Sequence, residues 1–359
     1  MTKKVLVLGG YGACGRRIAA RLARDPGVEC VIGGRDVRRG QEAADALSVS
    51  FATVDIRRPT SLNAALDGVF AVVNACGPFL WRDYAIAERC ARRGVHYVDM
   101  ADDASYMLGI QTLAGRAREG QVALVSGAGS ALAFSSVLAE TLSAEFDVIH
   151  AIDIAQLSGN RTPRGPGCVR SLLSAQRRRV RLFERGQWRE VPGFSRGRTV
   201  EMPKPFGKRR LYMVDAAETE FLGKHYQAPV TYRTGLELAV LNRGHAWLAS
   251  LNRHGLVQDT GRFAGLLHGL QHALRGFGVA AFGLTVVMSG ERSGRALVRR
   301  AALLAREEGH AAGCIPAIAL VRKWAAGGGV PDATPCYGVL SLQDMTEELA
   351  GQGAVLQLS

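Results

Sequence analysis

Through the first 142 residues, short apolar runs alternate with helix-forming stretches. Apolar β-type residues fill 5–8, 30–32, 51–54, 69–73, 97–98 and 122–125. Several of these runs lack polar alternation, the mark of strands buried on both faces of a parallel sheet. Helices are expected between them, over 17–24, from 35–36 to about 47, from 59–61 onward, over 83–93 and from 131 to about 142. Gly94 follows the fourth of these in the manner of a C-cap. This βα alternation predicts an α/β fold, a doubly wound sheet of about six parallel strands.

After residue 142 the pattern changes. Residues 147–158 alternate as a strand, 165–176 read as a loop and short helix, and 179–191 read as a hairpin turning at 184–187. Further short strands are expected at 199–203, 210–214, 229–235 and 283–290, with a Leu-rich helix over 261–277. These make an inserted α+β unit with a mixed or antiparallel sheet. A helix over 316–326 opens with Pro316 and closes on Gly327-Gly328-Gly329. The expected division is 1–130, 131–310, and a C-terminal return over 311–359 that packs on the first domain.

Composition narrows the class. At 47% hydrophobic and 21% charged, the 359 residues describe a globular protein. Seven scattered cysteines without C-x-x-C argue against a disulfide framework and for a reducing, cytoplasmic setting. The chain opens on strand-like sequence, so no signal peptide is expected. The uncharged stretch 120–139 contains three glycines and four serines besides Gln121, and reads as strand, turn and helix rather than a membrane span. The net charge of +13 comes mostly from arginine. No nucleic-acid-binding motif accompanies it, so a solvated basic surface and an anionic small-molecule substrate are the favoured readings, with membrane association disfavoured. His268 and His272 lie one turn apart but lack a third ligand, so no metal is expected.

The chemistry concentrates at strand ends. Gly10, Gly12 and Gly15 form G-x-G-x-x-G between a strand and a helix, the pattern that holds a dinucleotide pyrophosphate on a helix N-terminus. An acid at the end of the second strand would favour NAD; here Gly33-Gly34-Arg35 stands there, with Arg38 and Arg39 after it. A guanidinium grips a 2′-phosphate with charge-assisted hydrogen bonds, so NADP is expected over NAD. Asp36 reads as a helix cap. Asp55 and Ile56 end the third strand where an adenine would lie. Gly77-Pro78 breaks the backbone after the fourth strand, where such sheets bind ligands. Tyr97 and Asp99 share one face of the fifth strand. Asp99 fits either a structural acceptor or an active-site acid, and the pair are the candidate proton-handling groups. His96 faces the other way and reads as a packing residue. Asp102 and Asp103 read as helix caps.

Val-Leu-Gly-Gly-Tyr-Gly-Ala-Cys-Gly at 7–15, Gly-Gly-Arg-Asp at 33–36, Val-Asn-Ala-Cys-Gly-Pro-Phe at 73–79 and Gly-Val-His-Tyr-Val-Asp at 94–99 resemble the saccharopine dehydrogenase-like oxidoreductases. Leu-Tyr-Met-Val-Asp at 211–215 and Ile-Pro-Ala at 315–317 carry the resemblance, more diffusely, across the chain. It implies a Rossmann domain, an inserted α+β domain, a C-terminal return and a homodimer. It also implies hydride transfer between NAD(P) and a carbon–nitrogen bond of an amino-acid-derived substrate. It would put Gly10, Tyr11, Gly12, Ala13, Cys14 and Gly15 on the pyrophosphate, Arg35 by the adenosine ribose, and Cys76, Gly77 and Pro78 along the cofactor toward nicotinamide. The chain departs from the family after the sixth strand, where Gly127-Ala128-Gly129-Ser130 replaces an Asp-Pro-Gly; this points away from saccharopine itself. A non-catalytic NADP sensor and a reductase of hydrophobic or enoyl substrates stay open as alternatives. In the second domain Arg161 and Arg170 are candidates for holding a substrate carboxylate.

Overall fold

The structure is a computed structural model. It describes residues 2–77, 79, 83–129, 131–162, 173, 178–184, 187–257, 260–306, 312–350 and 353–359. Two compact units emerge, Met1–Ala133 with Gly313–Glu348, and Phe134–Ala312 with Leu349–Ser359.

In the first unit β1 (Lys3–Leu8), β2 (Val28–Gly34), β3 (Ser50–Thr53), β4 (Ala71–Asn74), β5 (His96–Asp99) and β6 (Ala123–Ser126) pair in parallel in the order 6-5-4-1-2-3. The order reverses between β1 and β4, the switch point at which such sheets bind ligands outside the strands' carboxyl ends. A seventh strand, Asp332–Pro335, adds in parallel to β6. Helices α1 (Ala13–Leu22), α2 (Val37–Leu47), α3 (Pro59–Ala65), α4 (Ala85–Arg92), α5 (Ala104–Gly109) and α6 (Ala114–Glu119) connect the strands. The doubly apolar runs explain why β4 and β6 are buried along their whole length. Leu6, Leu8, Val72, Tyr97, Leu124 and Ile110 sit in one continuous core. Two helix starts follow their sequence signals: the Asp36 side chain accepts from Arg39 N–H, and the Asp103 side chain from Tyr106 N–H.

The C-terminal return divides. Helix Ile315–Ala325 and residues up to Glu348 belong to the first unit. Glu348 is buried there between the guanidinium groups of Arg21, on α1, and Arg322, which also forks onto Asp25 at 2.7 and 2.8 Å. Residues 349–359 instead join the second unit. Strand Ala354–Leu358 alternates in burial and finds its hydrogen-bond ladder there, on β14 (Arg295–Ala305).

The second unit is built on a mixed sheet. α7 (Leu132–Ser143) leads into β7 (Val148–Ser158), and β8 (Arg179–Glu184) pairs with β9 (Gln187–Pro192) as a separate hairpin. The large sheet continues through β10 (Ser195–Met202), β11 (Gly207–Met213), β12 (Val230–Leu236), β13 (Phe282–Arg292) and β14. Only β7 and β12 pair in parallel; the other neighbours are antiparallel. β13 and β14 turn tightly through Ser293 and Gly294, both at positive φ, the two-residue hairpin that matches strand twist. The Leu-rich segment forms a 3-10 turn over Thr260–Phe263 and a helix over Ala264–Ala273. The expected short helix over 165–176 lies almost wholly outside the described residues.

Candidate functional site: a glycine turn and three strand ends

β1 ends in four glycines within seven residues, and each is held by a close contact. Gly9 turns the chain at φ +75°, a conformation that favours glycine, and donates to Gly33 O at 2.8 Å. A Cβ on Gly10 would stand 2.4 Å from Ile32 Cβ. A Cβ on Gly15 would stand 2.3 Å from Gly9 O, so α1 can approach β1 only without a side chain there. Gly12, the N-cap of α1, is exposed, and a Cβ on it would meet only Gly9 O at 3.1 Å. The first bond along α1 runs from Arg16 N to Gly12 O. The N–H groups of Ala13, Cys14 and Gly15 precede it and, by helix geometry, point out as anion donors. No acid sits in the first turn of α1, so nothing there opposes a pyrophosphate. These features fit a dinucleotide.

The Tyr11 side chain points out of that cradle, toward the β2–α2 turn. Its hydroxyl accepts from Arg35 N and Asp36 N at 3.2 and 3.3 Å, and its ring covers Gly34, where a Cβ would come within 2.2 Å. Arg39 stands 5.3 Å over the same ring. Tyr11 thus braces the β2–α2 turn that carries Arg35. Asp55, just beyond β3, forks onto Arg57 at 3.0 and 2.9 Å, and this pairing holds its carboxyl down to about 2, with a further contribution from Arg35. So the carboxylate at this end is already neutralised by a neighbour, and Arg35, Arg38 and Arg39, at the β2–α2 turn and the start of α2, are all exposed. Ile56 packs against the core. Sequence reading did not single out Arg57; its one signal was the pattern Asp-x-Arg after a strand.

At the ends of β4, β5 and β6 a buried polar network appears. Cys76 N donates to Asn74 Oδ1 at 3.1 Å, and Asn74 Nδ2 donates to the Tyr97 hydroxyl at 3.0 Å. Tyr97 donates to Asp99 Oδ2 at 3.1 Å. Asp99 Oδ1 accepts from Ala101 N, Ser126 Oγ and Gly127 N at 2.9–3.0 Å. Gly127 takes this role at φ +83°, and a Cβ there would stand 2.2 Å from Met107 Sδ. Burial pushes the Asp99 carboxyl up to about 6 even against these donors, and pushes the Tyr97 phenol well up. The structure therefore brings Tyr97 and Asp99 together, as the strand period requires, but leaves both with 0% exposure. In this arrangement Asp99 joins the loops after β4, β5 and β6, and neither group presents an atom to a bound molecule. Asn74, Ser126 and Gly127 were missed in sequence because they come from the ends of two other strands, β4 and β6; Asn74 pairs directly with Asp99.

Cys76 lies half-buried beside the glycine turn, its Sγ 3.1 Å from where a Gly9 Cβ would be, and Gly77 follows it. Pro78 and Arg170 lie outside the described residues. His96 packs as its face implied, stacked 5.1 Å from Trp324 with Nδ1 accepting from Ala123 N, and burial lowers its pKa to about 4. Among the described residues no group of three or more His, Cys, Asp or Glu side chains could hold a metal ion, and no helix is long and apolar enough to cross a membrane.

A parallel sheet with this strand order, a glycine cradle at its switch point and a basic ribose end define the class: a Rossmann nucleotide-binding unit of the NAD(P)-dependent oxidoreductase type. Residues 5–125 match the family described as the saccharopine dehydrogenase NADP binding domain. Over those residues the chain is similar to the NADP-binding domain of that family, which supports an NADP-binding oxidoreductase. No curated protein matches the chain in sequence. Among solved structures, the apo histidine-tagged saccharopine dehydrogenase (L-Glu forming) from Saccharomyces cerevisiae aligns over 99% of both chains, with a TM-score of 0.71 and 14% identity. At that identity the likeness is one of fold. GenD2 from gentamicin A biosynthesis, in complex with NAD, aligns over 83% of this chain and 72% of its own, with 16% identity and a TM-score of 0.43, too low to bear on the argument.

Proposed function

We propose that this protein is an NADP-dependent oxidoreductase that transfers hydride to or from a carbon–nitrogen bond of an amino-acid-derived, anionic substrate. The observation that carries the cofactor half is the arginine-rich end of β2 and β3. There Arg35 stands on a turn braced by Tyr11, and Asp55 is occupied by Arg57. The N–H groups of Ala13, Cys14 and Gly15 would hold the pyrophosphate, and Arg35 would hold the 2′-phosphate. When bound, the nicotinamide supplies the hydride acceptor or donor. The Asn74–Tyr97–Asp99–Ser126 network fixes the loops on which substrate and nicotinamide would rest, so Asp99 is a positioning residue. The reaction class itself is supported by the family match and the shared fold. A homodimer belongs to the same reading.

Two measurements test it. Arg35→Ala should weaken NADPH binding about 10- to 100-fold, the loss of one charge-assisted contact of ~1.5–3 kcal/mol, and leave NADH unchanged. Equal losses for both cofactors would defeat the 2′-phosphate assignment. Protein given NADPH deuterated at the nicotinamide C4, with amino acids paired with 2-oxo acids or aldehydes, should yield a deuterated secondary amine by mass spectrometry. The burial of both Tyr97 and Asp99 favours a second reading, a non-catalytic NADP sensor; tight NADPH binding with no deuterium transfer to any acceptor would select it.

A further inference from the structure

Two cysteines meet at the cradle. Cys14 is the second residue of α1, and Cys314 is the N-cap of helix Ile315–Ala325. The Cys314 thiol donates to Cys14 O across 3.7 Å, which sets the two cysteines against each other. The two differ in reactivity. Cys14 is half-buried at the positive end of α1 with Arg17 one turn on, and its thiol is held down to about 7, chiefly by the neighbouring Cys314 side chain. Cys314 is 1% exposed, and the same pairing, with burial, pushes its thiol well up. Burial also raises Cys30 and Cys90, which sit in the core. An accessible acidic thiol backed by a buried one is the arrangement of an attacking and a resolving cysteine.

We propose that Cys14 and Cys314 form a disulfide under hydrogen peroxide and that this bond loosens the pyrophosphate cradle. The Cys14 thiolate attacks one peroxide oxygen; the O–O bond breaks, hydroxide leaves and Cys14 becomes a sulfenic acid. The Cys314 sulfur then attacks the Cys14 sulfur, the S–O bond breaks, and the departing hydroxide takes the Cys314 proton as water. Two thiols are oxidised, one peroxide is reduced, and two waters form. Closing the bond replaces the contact of the Cys314 thiol with Cys14 O by a covalent tie, which loads the first turn of α1, where Cys14 sits. The cradle has no slack for this, because Gly15 already packs on Gly9 O with no room for a Cβ. The N–H groups of Ala13, Cys14 and Gly15 move with that turn.

The regulatory half of the proposal rests on the NADP reading; the chemical half does not. Full-length protein is compared reduced and peroxide-treated, by non-reducing tryptic peptide mapping and NADPH titration. The expected map joins the Cys14 and Cys314 peptides, lighter by two hydrogens than their sum, and Cys314→Ser abolishes that species. NADPH affinity should fall by at least ~5-fold on oxidation and return with dithiothreitol, the lower end of coupling between two sites. Absence of the joined peptide at saturating peroxide overturns the pair. A joined peptide with unchanged NADPH affinity overturns its effect on the cradle. Reduced protein that binds no NADPH sinks the cofactor reading and the regulatory half with it, while the map still decides the pair.

Discussion

Asp99 offers the sharpest test of how the first unit is held together. Its carboxyl is fully buried and its pKa is raised from 3.8 to about 6, desolvation outweighing the bonds from Gly127, Ala101, Ser126 and Tyr97. The folded protein therefore binds this proton more tightly than the unfolded chain does. Its stabilising contribution is fully present below pH 4 and is lost as pH rises through 6. A shift of about two pKa units at ~1.4 kcal/mol each amounts to about 3 kcal/mol. Asp99→Asn removes the titration while its Oδ1 keeps the bonds from Ala101, Ser126 and Gly127. Its amide faces the Tyr97 hydroxyl, which already accepts from Asn74, so a fixed offset of ~1–2 kcal/mol is expected at every pH. Urea unfolding of both proteins from pH 4 to 8 measures the difference. Wild-type stability relative to Asp99→Asn should fall by about 2.5 kcal/mol between pH 4 and 7.5. Other titrating groups, among them Glu218 (pushed up to about 7 by its own burial), cancel in that difference. A difference that stays flat, or rises with pH, would show that Asp99 is not buried in a charged state and would refute the network as drawn.

Two further predictions concern packing. Gly15→Ala places a Cβ against backbone that cannot yield; it should destabilise the first unit by ~1–3 kcal/mol and abolish NADPH binding by titration calorimetry, whereas a neutral result would mean α1 sits farther from β1. Glu348→Ala leaves Arg21 without its carboxylate, while Arg322 keeps Asp25. Both guanidinium groups retain solvent, so the loss in urea unfolding should lie near the ~3 kcal/mol lower end for broken buried pairs, and an unchanged midpoint would remove the C-terminal helices from the account of stability.

What could be read in the sequence was what local rules control. Strand-then-glycine-then-helix spacing located the cradle, and period-two alternation put Tyr97 and Asp99 on one face, because both depend on neighbours along the chain. The hairpin 179–191 was legible for the same reason: its cross-strand pairs join residues close in sequence, Glu184 with Gln187 and outward to Arg179 with Pro192. β14 was not. Arg-Ala-Leu-Val-Arg-Arg-Ala-Ala-Leu-Leu-Ala has the composition of a helix, and only its eleven-residue register with β13 makes it a strand. The same holds for residues 354–358, whose ladder lies on a strand fifty residues away. At the site, sequence could nominate Asp99 but could not tell a catalytic acid from a structural one. That distinction depends on burial and on donors from Ala101, Ser126 and Gly127, which arrive from the ends of two different strands. The meeting of Cys14 with Cys314, three hundred residues apart, was likewise decided by packing alone. Local chemistry fixed where an anion would be held; the fold decided which side chains remain within reach of it.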